Sequence, residues 1–342
     1  MRLQNCKESL GKKKGEWAWV SPSTHSHAQD LSQQPISGMT PGFGVAMLSS
    51  ELNRDRRRLG CEFEVAVPMV GSGESNDVRK LIAQVLSANG VPAVARGYSH
   101  RPVPDGADVC IEYDSSVRGE SRYRGIRWIS IEAKTRILNG MDDWERVVPK
   151  MLDILRYLGA RVNSSCGHHV HIELSEARER PAVIRSMYNT LHRNENLIYG
   201  LVPPSRNSNS YCRRLPDMPS RLANCRTMSC FKNELQQLPR ESGTNWKHMW
   251  GVHPRIEYRY ASSTLNVEKA RHWARLMLRM TDHACARTCK ATKVQLTNER
   301  SDLDKMLTTL GLKVNSRVYS KVDPELRDTG RYLLKRWKQL NQ

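Results

Sequence analysis

The order of apolar and polar positions changes sharply near residue 58. Residues 1–57 are rich in Ser, Gln, Pro and Gly and show no sustained period, which predicts a poorly ordered extension. From Leu59 onward the segment CEFEVAV alternates between polar and apolar residues, as a half-buried strand does. We therefore expect folded structure to begin at about residue 58.

Strand-like and helical patterns follow in an irregular order. Amphipathic helices are predicted over residues 75–89, 142–158, 176–199 and 266–285, and short alternating strands over VPAVARGY, ADVCIEYD, IRWISIEAK, GHHVHIEL and HPRIEYRYAS. Alternation within the strands favours a mainly antiparallel sheet with one polar face. The predicted fold class is α+β.

Two basic segments lie outside these elements. Residues 203–244 have the composition of a long loop, and between Arg206 and Arg240 seven Arg or Lys residues face two acids. We expect this segment to form a mobile cover over a binding site. The tail over residues 286–342 is predicted to be helical and basic.

Composition narrows the functional classes only slightly. A net charge of +19 attracts anions, but the excess is scattered, which favours a generally basic surface over a dedicated nucleic-acid site. Nine irregularly spaced cysteines indicate reduced thiols, and no apolar run approaches the roughly 20 residues of a membrane span. We expect a cytoplasmic protein that does not enter a membrane.

The first strand carries two carboxylates on one face. Side chains two residues apart in a strand point the same way, so Glu62 and Glu64 lie side by side. Like charges at this distance repel unless a cation lies between them, which suits a divalent metal. The alternative is an exposed strand face with two solvated acids.

A second strand presents His169 and His171 on one face, with His168 on the other. A His-x-His pair indicates metal or phosphate chemistry, whereas His168 is expected to be structural. Cys166 could join the pair in a zinc site, although the four-ligand spacing of such sites is missing nearby.

A third strand aligns Arg255, Glu257 and Arg259. The three could form a surface ion-pair ladder. Alternatively, Glu257 ligates a metal while Arg259 holds a phosphoryl group, because a planar guanidinium matches phosphate oxygens in pairs. The three functional strands would converge if they neighbour one another in a single sheet.

Taken in order, short motifs of the chain resemble the amidoligase family, a branch of the superfamily that includes glutamine synthetase and glutamate-cysteine ligase. They cover residues 58–285: GCEFE at 60–64, DSS at 114–116, ISIEAKTRILNG around Glu132, CGHHVHIEL, SRNSNSYC and IEYRYASSTLN. The resemblance implies a curved, mainly antiparallel sheet, similar to the glutamine synthetase catalytic domain, with helices on its outer face. The catalytic domain would span residues 58–285, between the extension and the tail.

The resemblance also implies roles for single residues. The metal ligands would be Glu62, Glu64, Glu132, His169 and Glu257. Arg259 would bind phosphate and act in catalysis together with Asp114 and Glu132, and the cofactor would also contact His171, Arg255 and Arg206. The chain departs from the family pattern at Arg136 and His168, so the resemblance does not identify the residues that bind the substrates.

The implied activity is an ATP-dependent and Mg²⁺-dependent ligation of a carboxylate to an amine through an acyl phosphate. The product would be an amide or isopeptide bond on a small molecule, peptide or protein, and the basic charge also suits an acidic polymer as partner. Two alternatives remain: a basic nucleic-acid-binding protein, which the 6% aromatic content disfavours, and a zinc hydrolase built on Cys166, His169 and His171.

Overall fold

The structure, a computed structural model, describes residues 57–69, 75–99, 101–119, 125–207, 209–286, 295–312 and 323–342. The extension predicted over residues 1–57 lies, except for Arg57, outside the described residues. The described part forms one open, mostly antiparallel sheet with helices packed against it, which confirms the predicted fold class.

Eight strands form the sheet in the described part of the chain. They are β1 (Arg58–Pro68), β2 (Ala93–Ala95), β3 (Val109–Tyr113), β4 (Trp128–Thr135), β5 (Leu138–Asn139), β6 (Gly167–Glu173), β7 (Thr244–Asn245) and β8 (Arg255–Ser262). Their order is β2-β3-β4-β1-β6-β8-β7, with β5 paired to β1. The β2–β3 pair is parallel and the other strand pairs are antiparallel.

The α-helices of the described residues are α1 (Ser75–Ala88), α2 (Gly140–Tyr157), α3 (Ala182–Gly200), α4 (Pro204–Asn207), α5 (Pro219–Leu222), α6 (Met228–Leu235), α7 (Val267–Ala286), α8 (Arg300–Thr309) and α9 (Pro324–Asn341). The helices predicted over 75–89, 142–158 and 266–285 are confirmed. The helix predicted over 176–199 begins later, because Pro181 occupies the N-cap position of α3 and a separate 3₁₀ turn precedes it.

The prediction of an irregular loop over 203–244 is wrong in part. Three short helices, α4, α5 and α6, interrupt this segment, and apolar side chains anchor it to the core. Leu222, Phe231 and Leu235 are fully buried. Arg, Ser and Pro are the most frequent residues of the segment, and its widely spaced apolar residues show no clear helical period.

Alternation along β1 separates the sheet into an apolar and a polar face. Leu59, Phe63 and Val65 are buried in the main core together with helix residues such as Trp144 and Met151 of α2. Burying such side chains is worth roughly 1.5–3 kcal/mol each. The register of β1 is therefore fixed by its apolar residues, and this register determines where the intervening glutamates point.

The C-terminal helix α9 packs onto the rest of the described chain. Trp337 Nε1 donates to Asn298 Oδ1 at 2.7 Å, and Asn341 Nδ2 donates to the carbonyl of Gly200 at 2.8 Å. The helical nature of the tail is confirmed for α8 and α9. The predicted domain boundary at residue 285 stays a prediction.

One expectation about cysteines is wrong. Cys225 and Cys230 form a disulfide, because the turn into α6 brings their Cα atoms to 5.4 Å. The other described cysteines are free and buried: Cys61, Cys110, Cys166, Cys212 and Cys285. Within the described residues no helix has the length and apolar character needed to cross a bilayer.

Candidate active site

Strand pairing brings the predicted ligands onto one face of the sheet. Within the ladders of β1, Glu62 lies opposite His169 of β6, and Glu64 lies opposite Glu132 of β4. On the far side of β6, His171 lies opposite Glu257 of β8. The expectation that the three functional strands converge in a single sheet is therefore confirmed.

The ring of His169 lies at the centre of this face. Its Nδ1 is 3.0 Å from Glu62 Oε2 and 3.6 Å from Glu257 Oε1, and its Nε2 is 3.5 Å from Glu64 Oε1. A register shift between residues 168 and 170 interrupts the β6–β8 ladder at this histidine. Gly167 allows the close packing, because a Cβ there would lie 2.8 Å from His169 Nε2. Its backbone N–H also donates to Glu64 Oε2 at 2.5 Å.

Glu257 and Arg259 form an ion pair beside this histidine. Arg259 Nη1 is 2.5 Å from Glu257 Oε1 and 3.5 Å from His169 Nδ1. Asn245 of β7, which the sequence did not single out, donates through Nδ2 to Glu257 Oε2 at 2.6 Å. Both members of the pair are almost fully buried, so removal of either would take the nearest opposite charge away from a buried ionised group.

Three groups of side chains on this face have the composition and spacing of cation sites. In each group the ligand atoms lie within 4.8 Å of one another. One group is Glu64, Asp114 and Glu132; a second is Glu62, Glu132 and His169; a third is His171, His248 and Glu257. Glu132 belongs to two groups, so the first two sites would be adjacent.

The pKa values on this face reflect a local excess of carboxylates. Burial raises the pKa of Glu132 well above its usual value, and the charges of Glu62 and Glu64 raise it further. Burial also raises the pKa of Glu64, with a contribution from Asp114. A cation between these groups would favour their charged forms, so the donor set fits a divalent ion.

On the β6 side, neighbouring histidines favour the charged forms of the carboxylates. Burial opposes ionisation of Glu62, but His171 and His169 hold its pKa well below the usual value. Burial likewise opposes ionisation of Glu257, and His171, His248 and Arg259 lower its pKa. The charge of Glu62 in turn raises the pKa of His171 against the effect of burial.

A buried ion pair borders the acidic part of the face. Lys134 Nζ of β4 is 2.7 Å from Glu112 Oε2 of β3 and 3.9 Å from Glu132 Oε2. Asp114 follows β3 and accepts hydrogen bonds at Oδ1 from the backbone N–H and the hydroxyl of Ser116, both at 2.7 Å. The sequence analysis missed Glu112, although Cys110, Glu112 and Asp114 alternate as one strand face.

His248 is a second residue that the sequence analysis missed. It lies in a 3₁₀ turn, Lys247–Trp250, where no strand or helix period marks it. Its Nε2 is 3.5 Å from Glu257 Oε2, and its Nδ1 is 3.2 Å from Arg255 Nη2. Arg255, predicted to contact the cofactor, thus lies at the edge of the third ligand group.

Arg206 differs from the other predicted cofactor residues. Its guanidinium is fully buried and donates to two backbone carbonyls of β8, those of Arg259 at 2.6 Å and Tyr260 at 3.3 Å. These bonds tie α4 to the strand that carries Arg259. A contact between Arg206 and the cofactor stays a prediction.

His168 and Cys166 lie apart from the ligand groups. The ring of His168 stacks on Phe63 with 4.1 Å between centroids, and its Nδ1 is 3.1 Å from the carbonyl oxygen of Glu62. Cys166 is buried and belongs to no candidate metal group among the described residues. The geometry therefore gives no support to a zinc site built on Cys166.

Comparison of the chain with models of protein families gives one match. The family model described as "Putative amidoligase enzyme" matches residues 55–281. No curated protein matches the chain.

Two solved structures show a distant similarity. A bifunctional glutathione synthetase from Pasteurella multocida has a TM-score of 0.44 and 10% identity over 87% of this chain and 49% of its own. The complex between prokaryotic ubiquitin-like protein Pup and its ligase PafA has a TM-score of 0.35 and 9% identity over 84% of this chain and 64% of its own. The chain thus spans less than two thirds of the length of either structure.

Proposed function

The chain belongs to the amidoligase family, a family of carbon–nitrogen ligases, and from this premise we propose that it joins a carboxylate to an amine through an acyl phosphate made from ATP. A carboxylate oxygen of the first substrate attacks the γ-phosphorus, and ADP leaves. The amine nitrogen then attacks the acyl carbon, inorganic phosphate leaves, and the nitrogen loses a proton. The product is an amide or isopeptide bond.

One observation carries the proposal: three groups of carboxylate and imidazole ligands share one face of the sheet with the guanidinium of Arg259. ATP and a carboxylate repel each other, so an enzyme that joins them must supply positive charge at the phosphates. Arg259 stays charged throughout, and Glu257 together with burial of the pair fixes its orientation.

The residues of this face fit divalent cations. The group of Glu64, Asp114 and Glu132 offers only oxygen ligands, which Mg²⁺ prefers. The group of Glu62, Glu132 and His169 adds one imidazole. When bound there, Mg²⁺ would neutralise phosphate charge and polarise the γ-phosphoryl group.

The protein's own side chains then have distinct tasks. Arg259 holds a γ-phosphoryl oxygen, and Arg206 holds the backbone of Arg259 through its carbonyl. Ser116 fixes Oδ1 of Asp114, which leaves Oδ2 for a cation or substrate. His171 and Arg255 border the nucleotide side of the site.

Hydroxylamine trapping tests the activation step. Purified protein is incubated with ATP, MgCl₂, hydroxylamine and a panel of amino acids and acidic peptides, and acyl hydroxamate and ADP are measured. We expect hydroxamate to form with at least one carboxylate and to require both ATP and Mg²⁺. Glu62→Gln and Arg259→Lys should each lower the rate by about 10²-fold or more, whereas Arg156→Lys, an exposed residue of α2, should retain it.

Two results would contradict the proposal. Full activity in both site variants would show that this face is not the active centre. Retention of the protein on a polyanion, with no ATP turnover across the panel, would favour a nucleic-acid-binding protein instead.

A further inference from the structure

A second pocket lies where the C-terminal end of α3 meets α4, the segment 295–298 and the last turn of α9. Its volume is about 360 Å³, which is within the range of cavities that hold small ligands. Most of the residues that line it are polar, and of the described residues in its lining Arg214 alone carries a charge. None of the candidate metal ligands lines it, so the pocket is distinct from the catalytic face.

Neutral groups hold the guanidinium of Arg214 in this pocket. Its Cζ lies 4.5 Å from the ring centroid of Tyr199. Nη1 donates to Asn196 Oδ1 and Nη2 donates to Asn207 Oδ1, both at 2.7 Å. All three partners line the same pocket. These contacts orient the planar guanidinium without neutralising its charge.

The partners of Arg214 are themselves fixed. The hydroxyl of Tyr199 donates to the carbonyl of Cys212 at 2.7 Å, and its ring packs edge-on against Tyr260 with 5.3 Å between centroids. Asn196 Nδ2 donates to the carbonyl of Leu296 at 2.9 Å. A ligand that binds Arg214 would therefore not have to order this long side chain, which lowers the entropic cost of binding.

No carboxylate compensates Arg214 within the described part of the chain. Its contacts there are the ring and the two amides, and no Asp or Glu lines the pocket. Burial raises the pKa of Glu195 to about 7, although the N–H of Leu215 and the charge of Arg214 lower it. Oε1 of Glu195 accepts from that N–H and from the hydroxyl of Tyr260, and it forms no ion pair with Arg214.

Asn207 supplies a free hydrogen-bond donor beside this charge. A guanidinium can only donate, so Asn207 must turn its amide oxygen towards Arg214. Nδ2 belongs to the same carboxamide, and it has no hydrogen-bond partner among the described residues. Both groups at this end of the pocket donate, and one is positively charged. The complementary ligand group is therefore an anionic acceptor.

The opposite wall of the pocket combines amide and apolar groups. Asn298 Nδ2 donates to Asn341 Oδ1 at 2.6 Å, and Asn341 Nδ2 donates to the carbonyl of Gly200 at 2.8 Å. An amide oxygen has two lone pairs, so Asn341 Oδ1 can accept a further N–H. Val202 and Leu340 add apolar surface. This wall suits a ligand that has an amide and an alkyl group next to its anionic end.

We propose that this pocket binds the carboxylate end of an N-acylated amino acid or peptide. One carboxylate oxygen accepts from Arg214 and the other from Asn207 Nδ2, while the ligand's amide N–H donates to Asn341 Oδ1. A single lining cation matches the single charge of a carboxylate better than the two charges of a phosphate. The inference does not depend on the proposed ligase activity, because binding here needs neither ATP nor a metal.

A titration of the full chain with N-acetylvaline, in chelator and without nucleotide, tests the site. Titration calorimetry and saturation-transfer NMR measure the binding. We expect saturable binding of N-acetylvaline and at least about tenfold weaker binding of the uncharged N-acetylvalinamide and of inorganic phosphate. An acetylated tripeptide that ends in valine identifies the source. Tighter binding than N-acetylvaline indicates a peptide C-terminus, and weaker binding indicates a free N-acyl amino acid.

Two variants locate the binding in this pocket. Arg214→Gln should weaken binding of N-acetylvaline by about tenfold or more, because it removes the charge. Asn207→Asp keeps the oxygen that accepts from Arg214 but places a negative charge where the ligand's carboxylate would lie, so it should abolish binding. The matched control is Asn209→Asp, which adds the same charge outside the pocket and keeps the hydrogen bond from the N–H of Tyr211. It should bind as the wild type does.

Four results would overturn the inference. They are the absence of saturable binding to the wild type, equal affinity for N-acetylvaline and its amide, wild-type affinity in Arg214→Gln and Asn207→Asp, and loss of binding in Arg259→Lys. The last result would place the carboxylate on the catalytic face. Because no ATP is present, failure of this inference is distinguishable from failure of the proposed ligase activity, which hydroxamate formation measures.

Discussion

Glu64 of β1 and Glu132 of β4 lie directly opposite each other in the antiparallel ladder. Both carboxyls are buried enough that their pKa values are raised, and Asp114 adds a third acid to the same group. Facing carboxylates destabilise a sheet by repulsion. A proton or a bound cation would relieve this repulsion.

Magnesium should stabilise the protein through this pair. Binding to the folded state alone contributes about 2.7 kcal/mol at a concentration 100 times the Kd, so the melting temperature should rise by several degrees and fall again with chelator. Glu132→Gln should melt higher than the wild type in chelator, because it removes the repulsion, and should lose most of the response to MgCl₂. Calorimetry measures both effects.

Glu179→Gln is the control for this prediction, because Glu179 is exposed and lies outside the three ligand groups. It should respond to MgCl₂ as the wild type does. A Glu132→Gln variant with an unchanged magnesium response would show that the cation binds elsewhere.

His248 should contribute to cation binding with a preference for softer ions. It completes a group with His171 and Glu257 that contains two imidazoles, which suit Mn²⁺ or Zn²⁺ better than Mg²⁺. We expect His248→Ala to weaken Mn²⁺ binding by about tenfold with little change in melting temperature without metal. Titration calorimetry measures the affinity, with the exposed His253→Ala as control. Equal Mn²⁺ affinity in both variants would exclude His248 as a ligand.

Most of this face was predictable because strand alternation is a local property. Glu62 and Glu64 share a face for steric reasons alone, and apolar neighbours such as Phe63 determine which face is buried. The family motifs added Glu132, which is the only carboxylate in β4 and therefore forms no pair within its own strand. The sequence also led us to expect the strands of Glu62, His169 and Glu257 to lie in a single sheet, as the order β1-β6-β8 shows. It made no prediction for the pairing of β4 with β1.

The roles of other residues near the site could not be predicted from local sequence patterns. His248 lies in a turn, and only the folding of residues 246–254 between β7 and β8 brings it to Glu257. Arg206 is bound by backbone carbonyls, which no side-chain pattern reveals.

Lys134 and Glu112 should be strongly coupled. Glu112 is 1% exposed, so Lys134→Met would leave a buried carboxylate without its cation 2.7 Å away. We expect a loss of about 3–5 kcal/mol in the free energy of unfolding, measured by urea denaturation in chelator. Combining Lys134→Met with Glu112→Gln should recover most of this loss. Additive effects in the double variant would show that the two residues act independently.

Glu195 of α3 should make stability fall as pH rises from about 4.5 to 7. Burial raises its pKa from 4.5 to about 7, against the hydrogen bonds from Leu215 N–H and the Tyr260 hydroxyl. Within this window Glu195 releases its proton in the unfolded chain and keeps it in the folded chain. The contribution of protonated Glu195 to the free energy of unfolding is therefore fully present below pH 4.5 and lost above pH 7. Glu195→Gln cannot ionise, and its stability relative to the wild type should therefore increase across the window, by an amount on the order of 3 kcal/mol. Urea denaturation at half-unit pH steps measures the difference, with Glu179→Gln as control; parallel pH profiles for wild type and Glu195→Gln would contradict the prediction.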